Sequence, residues 1–119
     1  MAVVNRDRDT VVATRLLRAE TILTRMRGLL GRDGLEPGEA MWIAPCSGIH
    51  TIGMRFTIDA LFLDREGRVL RRFDRLVPGR LGPSVRGAAG VLELPEGAAA
   101  ASDTQAGDRL VLDAPANDG

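Results

Sequence analysis

The strongest pattern along the chain is an alternation of apolar and polar residues that leads into its middle. The apolar members share one parity, and they are Met54, Phe56, Ile58, Ala60 and Phe62. Successive side chains of a strand point to opposite faces of a sheet, so this period predicts a strand with an apolar face. Leu61 and Leu63 make the second face apolar as well. The strand is therefore predicted to run through the middle of a sheet.

Other short apolar runs predict the partners of this strand, because each is bounded by turn-forming residues. They cover residues 10–17, 41–43, 69–73, 91–94 and 109–112. Asp64 and Gly67 hold the first and fourth positions of a type I turn, which predicts a hairpin between two of these strands. Four successive alanines at 98–101 favour a short helical turn, since alanine has the highest helix propensity.

A different period predicts one amphipathic helix near residues 20–31. Its apolar residues recur at three- and four-residue steps, and they are Ile22, Leu23, Met26, Leu29 and Leu30. Gly31 and Gly34 then act as stop signals. Together these elements predict a small, strand-rich α+β domain of about six or seven short, mostly antiparallel strands with one or two helices. A barrel-like closure of the sheet is compatible with that inventory.

The chain is expected to form a single domain over residues 10–113. Its 119 residues are the size of one domain, and an apolar content of 45% is too high for a disordered chain. Residues 1–9 are polar and charged, and residues 114–119 are rich in Pro, Asn, Asp and Gly. Both ends are therefore expected to be mobile.

Charge and composition argue against nucleic-acid and membrane partners. Sixteen basic residues balance sixteen acidic ones, whereas nucleic-acid binding generally requires a basic excess or stripe. No apolar run approaches the roughly 20 residues that span a bilayer, and the first residues lack the apolar core of a signal peptide. The single cysteine, Cys46, forbids an internal disulfide and fits a reducing compartment. We expect neither a nucleic-acid nor a membrane partner, and a cytoplasmic location.

Residues 46–59 form the candidate functional segment. The only cysteine and the only histidine of the chain lie in it, and its two glycines predict a loop that enters the central strand. Loops held by a rigid sheet often carry binding residues. The candidate binding surface comprises Cys46, His50, Thr51, Met54, Arg55 and Asp59.

Two kinds of chemistry could use this segment. Cys46, His50 and Met54 follow one another at four-residue steps, and their sulfur and imidazole donors suit a soft copper ion better than zinc. Four extended residues span about 13 Å, however, so the loop would have to fold back to share one ion. Cys46 could instead be a nucleophile with His50 as its base and Asp59 as the orienting carboxylate. The structural alternative is a buried cysteine, a core methionine and a histidine bonded to the backbone.

The charged residues of the segment need partners if they are buried. Arg55 and Asp59 are four strand positions apart, which prevents a direct pair between two extended residues. Candidate members of a structural ion-pair network are Arg27, Arg32 and Glu93. The guanidinium of Arg55 could equally receive the carboxylate or phosphate of a ligand. The sequence leaves both the ion-pair network and the ligand interpretation open.

The order and spacing of four motifs resemble the domain-of-unknown-function family 192, also called uncharacterised protein family 0127. The motifs are Cys46-x-x-x-His50-Thr51-x-x-Met54-Arg55-Phe56-x-Ile58-Asp59-x-Leu61-Phe62-Leu63-Asp64, Arg25-x-x-Gly28-Leu29-x-x-Arg32, Leu92-Glu93-Leu94-Pro95-x-Gly97 and Gly107-Asp108. They span about residues 11–112. The resemblance implies a compact strand-rich domain and points to residues 46–59, but it implies no activity. Many members of that family carry a signal peptide or membrane anchor, and this sequence shows neither.

These observations predict a non-catalytic binding or accessory domain. A small polar ligand or a partner protein is expected to meet the surface of residues 46–59. The alternative is an enzyme that depends on Cys46 and His50, or a protein that binds copper or zinc through Cys46, His50 and Met54. The residues indicate no particular cofactor.

Overall fold

The structure, a computed structural model, describes residues 1–19 and 32–115. The helix predicted near residues 20–31 lies outside this part of the chain. The elements, in chain order, are β1 (Ala2–Asn5), β2 (Thr10–Ala13), β3 (Arg15–Ala19), β4 (Glu39–Ile43), β5 (Gly48–His50), β6 (Ile58–Leu63), β7 (Val69–Leu76), β8 (Leu81–Ser84), β9 (Gly90–Pro95), α1 (Ala98–Ala101) and β10 (Leu110–Ala114). No helix among these residues is long and apolar enough to cross a bilayer.

A five-stranded sheet organises the domain, with its strands in the order β3-β4-β9-β6-β7. Strands β3 and β4 are parallel, and the other neighbours are antiparallel. Every residue of β6 is buried, as is β9 from Gly90 to Leu94. The prediction that residues 58–63 run through the middle of a sheet is therefore confirmed.

One face of this sheet, here called the inner face, packs on a second sheet of order β10-β1-β2. The apolar cluster between them contains Trp42, Leu61 and Leu92 from the large sheet and Val3 and Leu110 from the small one. Alternate residues of the same strands point the other way, because the side-chain period of a strand is two. The core is thus built from the apolar parity of each strand.

The opposite face, here called the loop face, is covered by the chain between β4 and β6. Its apolar side chains form two clusters with Ile58 in one and Ala60 and Phe62 in the other. Met54 and Phe56 pack on the first cluster from the covering chain. A two-stranded ribbon of β5 and β8 completes the cover. Both faces of the large sheet are consequently shielded from water.

The prediction of a strand-rich α+β fold is confirmed, but the number of strands and the closure of the sheets differ from the expectation. The described residues hold ten strands rather than six or seven, in open sheets rather than a closed barrel. The run 10–17 divides at Thr14, whose N–H donates to the Gly38 carbonyl at 2.8 Å. Strands β5 and β8 fall where glycine and proline predicted loops, because a pair of strands at the surface tolerates both residues.

The expectation of a mobile segment over residues 1–9 does not hold. Ala2–Asn5 is β1, which lies between β10 and β2 in the small sheet. The buried Asn5 amide fixes its end by donating to Asp108 Oδ2 at 3.0 Å and to Thr104 Oγ1 at 3.2 Å. The side-chain oxygen of Asn5, Oδ1, accepts the N–H groups of Asp7 and Arg8. The first strand is thus held by long-range bonds that no local pattern reveals.

The predicted hairpin between β6 and β7 is present, and its turn shows the expected chemistry. The Gly67 N–H donates to the Asp64 carbonyl at 3.1 Å, and Asp64 Oδ1 accepts the N–H groups of Glu66 and Arg68. Gly67 has a φ of +87°, which favours glycine. The short helix predicted at 98–101 is likewise observed as α1.

Gly90 supplies a test of the packing on the inner face. A Cβ atom at this position would overlap the Trp42 ring and lie 2.8 Å from the Ile43 carbonyl oxygen. We expect Gly90→Ala to lower the free energy of unfolding by about 1–3 kcal/mol, as overpacking does. Urea denaturation measures the change. Gly34→Ala is the matched control, since nothing lies within 4 Å of its added Cβ; equal effects of the two variants would contradict the packing.

Candidate functional site

Residues 46–57 lie across the loop face as strand β5 followed by a tight turn. The Met54 N–H donates to the Thr51 carbonyl at 3.1 Å, and Gly53 adopts a φ of +85°. The central strand consequently begins at Ile58 rather than at Met54 as the alternation predicted. Met54 and Phe56 are apolar because they pack as part of the cover, and their alternation reflects burial of a loop.

Thr51 fastens this loop to residues 77–80. Its buried hydroxyl donates to the Val77 carbonyl at 2.6 Å and accepts the Arg80 N–H at 2.9 Å. Its backbone N–H donates to the Arg80 carbonyl at 2.9 Å, and its carbonyl accepts the Gly79 N–H at 2.9 Å. With the Met54 N–H that its carbonyl also accepts, Thr51 makes five hydrogen bonds, which leave it no free group for a ligand. We assign it a positioning role within the candidate surface.

An apolar patch surrounds this fastening on the outside of the molecule. Ile52, Val77 and Leu81 are 48%, 40% and 83% exposed, and the described residues contain only two other large apolar side chains this exposed. Ile52 follows Thr51, Val77 bonds to it, and Leu81 follows Arg80 and pairs with His50 across the β5–β8 ribbon. We call the three residues Ile52, Val77 and Leu81 the Thr51 patch.

The two segments that form the Thr51 patch carry arginines. Residues 44–58 and 77–92 contain no aspartate or glutamate, although the whole chain is neutral. Arg80 and Arg86 are exposed within these segments. Arg55 is exposed too, and its guanidinium pairs with Asp33 at 2.9 Å between two solvated side chains. The patch is therefore apolar in its centre and has the exposed Arg80 next to Leu81, while the charge of Arg55 is paired with Asp33.

Cys46, His50 and Met54 have different surroundings. Cys46 is half-buried beneath the loop, where Sγ donates to the Gly48 carbonyl at 3.0 Å and packs against both loop-face clusters. Met54 is buried in one of those clusters, whereas His50 is exposed on β5. Among residues 1–19 and 32–115, no group of three or more His, Cys, Asp or Glu side chains is arranged to hold a metal ion.

Asp59 lies on the inner face, away from the other candidate residues. Its buried carboxylate accepts the N–H groups of Gly97 and Ala99 at 3.0 Å each and that of Arg75 at 3.1 Å. These bonds join β6 to the start of α1 and to β7. The arrangement is that of a structural carboxylate whose acceptor sites are filled by the backbone.

One of the predicted ion-pair residues, Arg32, has a partner that the sequence analysis did not consider. Arg32 pairs with Glu39 at 3.1 Å, and Glu39 also lies 3.6 Å from Arg15 and accepts the Glu36 N–H. Arg27 lies outside the described residues. Glu39 itself was not singled out from the sequence, although its position two residues before Met41 places it on the buried parity of β4.

Glu93 is the third residue of that network prediction, and its position is unusual. It sits in the middle of β9 on the loop face, with Met41 of β4 and Ala60 of β6 directly beside it. Only 4% of the residue is exposed, and within the described part of the chain Oε1 has no hydrogen-bond partner. Burial raises the pKa of the carboxyl from its ordinary value of 4.5 to about 7. A charge inside the apolar run of residues 91–94 was the sequence signal for this site.

The comparison with family models agrees with the resemblance read from the motifs. The model of DUF192, described as an uncharacterized ACR, matches residues 3–112. The matched span includes the covering loop, the Thr51 patch and Glu93. The comparison with curated proteins found no match.

Two solved structures share the fold. A protein of unknown function from Novosphingobium aromaticivorans DSM 12444 superposes with a TM-score of 0.79 at 22% identity, over 92% of this chain and 81% of that one. A candidate transcription regulator from Sinorhizobium meliloti 1021 gives 0.77 at 21% identity, over 92% of this chain and 89% of that one. At these identities the likeness concerns the fold alone.

The structural role of Asp59 is testable by truncation. Asp59→Ala leaves one buried and two partly buried N–H groups without an acceptor, so we expect it to cost about 2–3 kcal/mol of the free energy of unfolding. Asp33→Ala is the control, because it breaks only the exposed pair with Arg55 and should cost less than about 1 kcal/mol. Urea denaturation compares them. A tolerated Asp59→Ala that abolishes a binding activity would instead make Asp59 a ligand-contacting residue.

Glu93 should make stability depend on pH in a defined direction. Because folding raises its pKa, the folded state holds this proton more tightly than the unfolded state, and stability is lost as pH rises from about 4.5 to 7. Glu93→Gln removes the charge at nearly constant volume. We expect it to stabilise the protein by about 2–3 kcal/mol more at pH 8 than at pH 5, measured by urea denaturation at both values.

The control for this pH dependence is Glu39→Gln, which removes a buried carboxylate that has partners. It should destabilise the protein at both pH values. A pH-independent effect of Glu93→Gln would show that the Glu93 carboxyl has a partner in the folded chain.

Proposed function

Because the chain belongs to the DUF192 family, whose description states no activity, we propose a function from the chain's own surface: a non-catalytic domain that binds an acidic, partly apolar segment of a partner protein. The Thr51 patch is the proposed docking surface. The observation that carries the proposal is the grouping of three exposed large apolar side chains around one fastened residue.

The apolar centre supports binding of a protein segment. Single exposed apolar side chains are common on soluble domains, but adjacent ones mark contact surfaces. Ile52, Val77 and Leu81 are held by the hydrogen bonds of Thr51 and by the β5–β8 pairing, so their arrangement exists before a partner arrives. A surface that is already ordered loses less conformational entropy on binding.

The charge of Arg80 selects the chemistry of the partner. Arg80 is exposed and adjoins Leu81 of the patch, so a carboxylate of a partner would meet complementary charge there. Arginine also forms bidentate hydrogen bonds with a carboxylate. Apolar side chains interspersed with Asp or Glu are thus the recognition features that we propose.

The candidate residues of the loop fit a binding surface better than a catalytic centre. Cys46 and Met54 support the loop from beneath, while His50 and Arg55 are exposed, and His50 pairs with Leu81 of the patch. Catalysis by a Cys–His pair requires a nucleophile and base on one accessible site. We also propose a cytoplasmic location, which a chain with a single cysteine and hence no internal disulfide supports.

Selection from a random peptide library tests the proposed partner chemistry. We expect the protein to enrich peptides that combine Asp or Glu with large apolar residues, and Leu81→Asp to weaken the best of them at least tenfold. Leu81 is largely exposed, so this variant should keep the wild-type melting temperature. The dissociation constant is measured by fluorescence polarisation, with unchanged affinity in Leu81→Asp counting against the patch.

Val11→Asp is the matched control, because Val11 is an exposed apolar strand residue outside the patch. It should leave peptide affinity unchanged. Arg80→Glu should weaken binding and reduce its dependence on salt. Enrichment of peptides without acidic residues would refute the charge argument. Binding to phosphatidylserine vesicles that Leu81→Asp abolishes, without any selected peptide, would assign the patch to a membrane surface instead.

A further inference from the structure

A cavity of about 390 Å³ opens between the two sheets at one end of the domain. Its walls come from β2 of the small sheet, from the residues just before β4 and at the end of β9, and from α1. Strand β4 begins where β9 ends, because the two are antiparallel neighbours in the large sheet. Small-molecule sites occupy about 300–1,000 Å³, so this volume is sufficient for a small ligand.

The lining of the cavity is mostly apolar, with side chains from Val11, Val12, Pro37, Pro95, Ala98 and Ala101. Val12 and Ala98 also pack in the apolar cluster of the inner face, so the cavity reaches the edge of the core. Gly97 lines it without a side chain, and a Cβ atom there would meet nothing within 4 Å. The space exists because several of the surrounding residues are small.

Hydrogen bonds hold two of the walls in place. Thr10 Oγ1 donates to the Ser102 carbonyl at 2.7 Å and so joins β2 to the end of α1. Asp59 accepts the N–H groups of Gly97 and Ala99 at 3.0 Å each, which fixes the start of α1. Asp59 therefore acts as a positioning residue for a cavity that it does not line. A cavity with walls already in place loses little conformational entropy when a ligand enters.

Glu96 supplies a negative charge at the margin of the cavity. It is the one acidic residue among the described residues of the lining, and none of these is basic. Its carboxylate lies 3.6 Å from Arg75 Nε, in a pair whose side chains are 51% and 79% exposed. Solvated pairs of this kind contribute little to stability. An incoming cation can therefore replace Arg75 beside the carboxylate.

We propose that this cavity binds a small apolar amine in its ammonium form. The apolar body of the amine displaces water from Val11, Val12 and Ala101, and its ammonium group pairs with Glu96. Burial of the apolar body supplies most of the affinity, because the effect is proportional to the apolar area removed from water. Carboxylic acids of the same size are disfavoured, since they would meet a like charge at Glu96.

This site is independent of partner binding at the Thr51 patch. The described residues that line the cavity and the three residues of the patch form separate sets. Leu81→Asp should therefore leave amine binding unchanged, and failure of either proposal leaves the other intact.

Cyclohexylammonium is the probe, with cyclohexanol as an uncharged control of nearly the same shape. We expect cyclohexylammonium to shift the methyl NMR signals of Val11 and Val12 saturably, while those of Val77 in the Thr51 patch stay unchanged. Cyclohexanol should bind in the same place about two- to fivefold more weakly, which is the contribution of one solvated ion pair. Higher salt should reduce this difference, because it screens the charge of Glu96.

Two pairs of variants separate the apolar and charged parts of the site. Ala101→Leu fills the cavity and should weaken both probes at least about tenfold, whereas Ala100→Leu, at an exposed position of α1 outside the cavity, should not. Glu96→Gln should make the two probes bind equally, whereas Glu66→Gln, which changes an exposed glutamate of the β6–β7 turn, should retain the difference. Melting temperatures show that each variant is folded.

Three results would overturn the site. The first is that neither probe moves the Val11 and Val12 signals. The second is equal affinity of cyclohexylammonium for Ala101→Leu and Ala100→Leu. The third is binding of cyclohexanol to the wild type as tight as that of cyclohexylammonium, which would remove the role of Glu96.

Discussion

Burial of β6 and β9 on both faces is the constraint on which the rest of the structure depends. A strand covered on one side can direct its polar residues to water, but these two strands have no such side. The small sheet covers the inner face, and the loop with the β5–β8 ribbon covers the other. Every polar side chain on β6 or β9 must therefore find its partner inside the protein or take one from outside.

The cover over the loop face determines how the candidate residues divide. A loop lacks the regular backbone hydrogen bonds of a strand in a sheet. Here the hydrogen bonds of Thr51 take their place and hold the loop against residues 77–80. Side chains below the loop, such as Cys46 and Met54, become packing residues. Those above it, such as Ile52 and His50, become surface. One segment thus serves both the interior and the proposed docking surface.

Sequence reasoning succeeded where the information was local. The period-two pattern of residues 58–63, the Asp64–Gly67 turn and the alanine run of α1 each follow from neighbouring residues. Strand β1 could not be found this way, because its stability comes from Asn5 bonds to residues about a hundred positions away. The ribbon was missed for a related reason, since Gly and Pro suppress the strand signal of β5 and β8.

The candidate surface was predictable as a segment but not as a site. Six residues were chosen from residues 46–59, and the parity of β6 alone sends Asp59 to the face opposite Ala60. The fastening role of Thr51 and the exposure of Val77 and Leu81 required the contact between two distant loops. Tertiary pairing of this kind is not encoded in periodicity.

The buried carboxylates of Asp59, Glu39 and Glu93 differ in the donors that surround them. Asp59 and Glu39 are surrounded by donors, and their charges help to hold the backbone in place. Oε1 of Glu93 has no donor among residues 1–19 and 32–115, so these residues give its charge no comparable support. Glutamine would occupy the position without an ionisation cost. The glutamate instead makes the stability of this sheet depend on pH, because burial raises the pKa of its carboxyl to about 7.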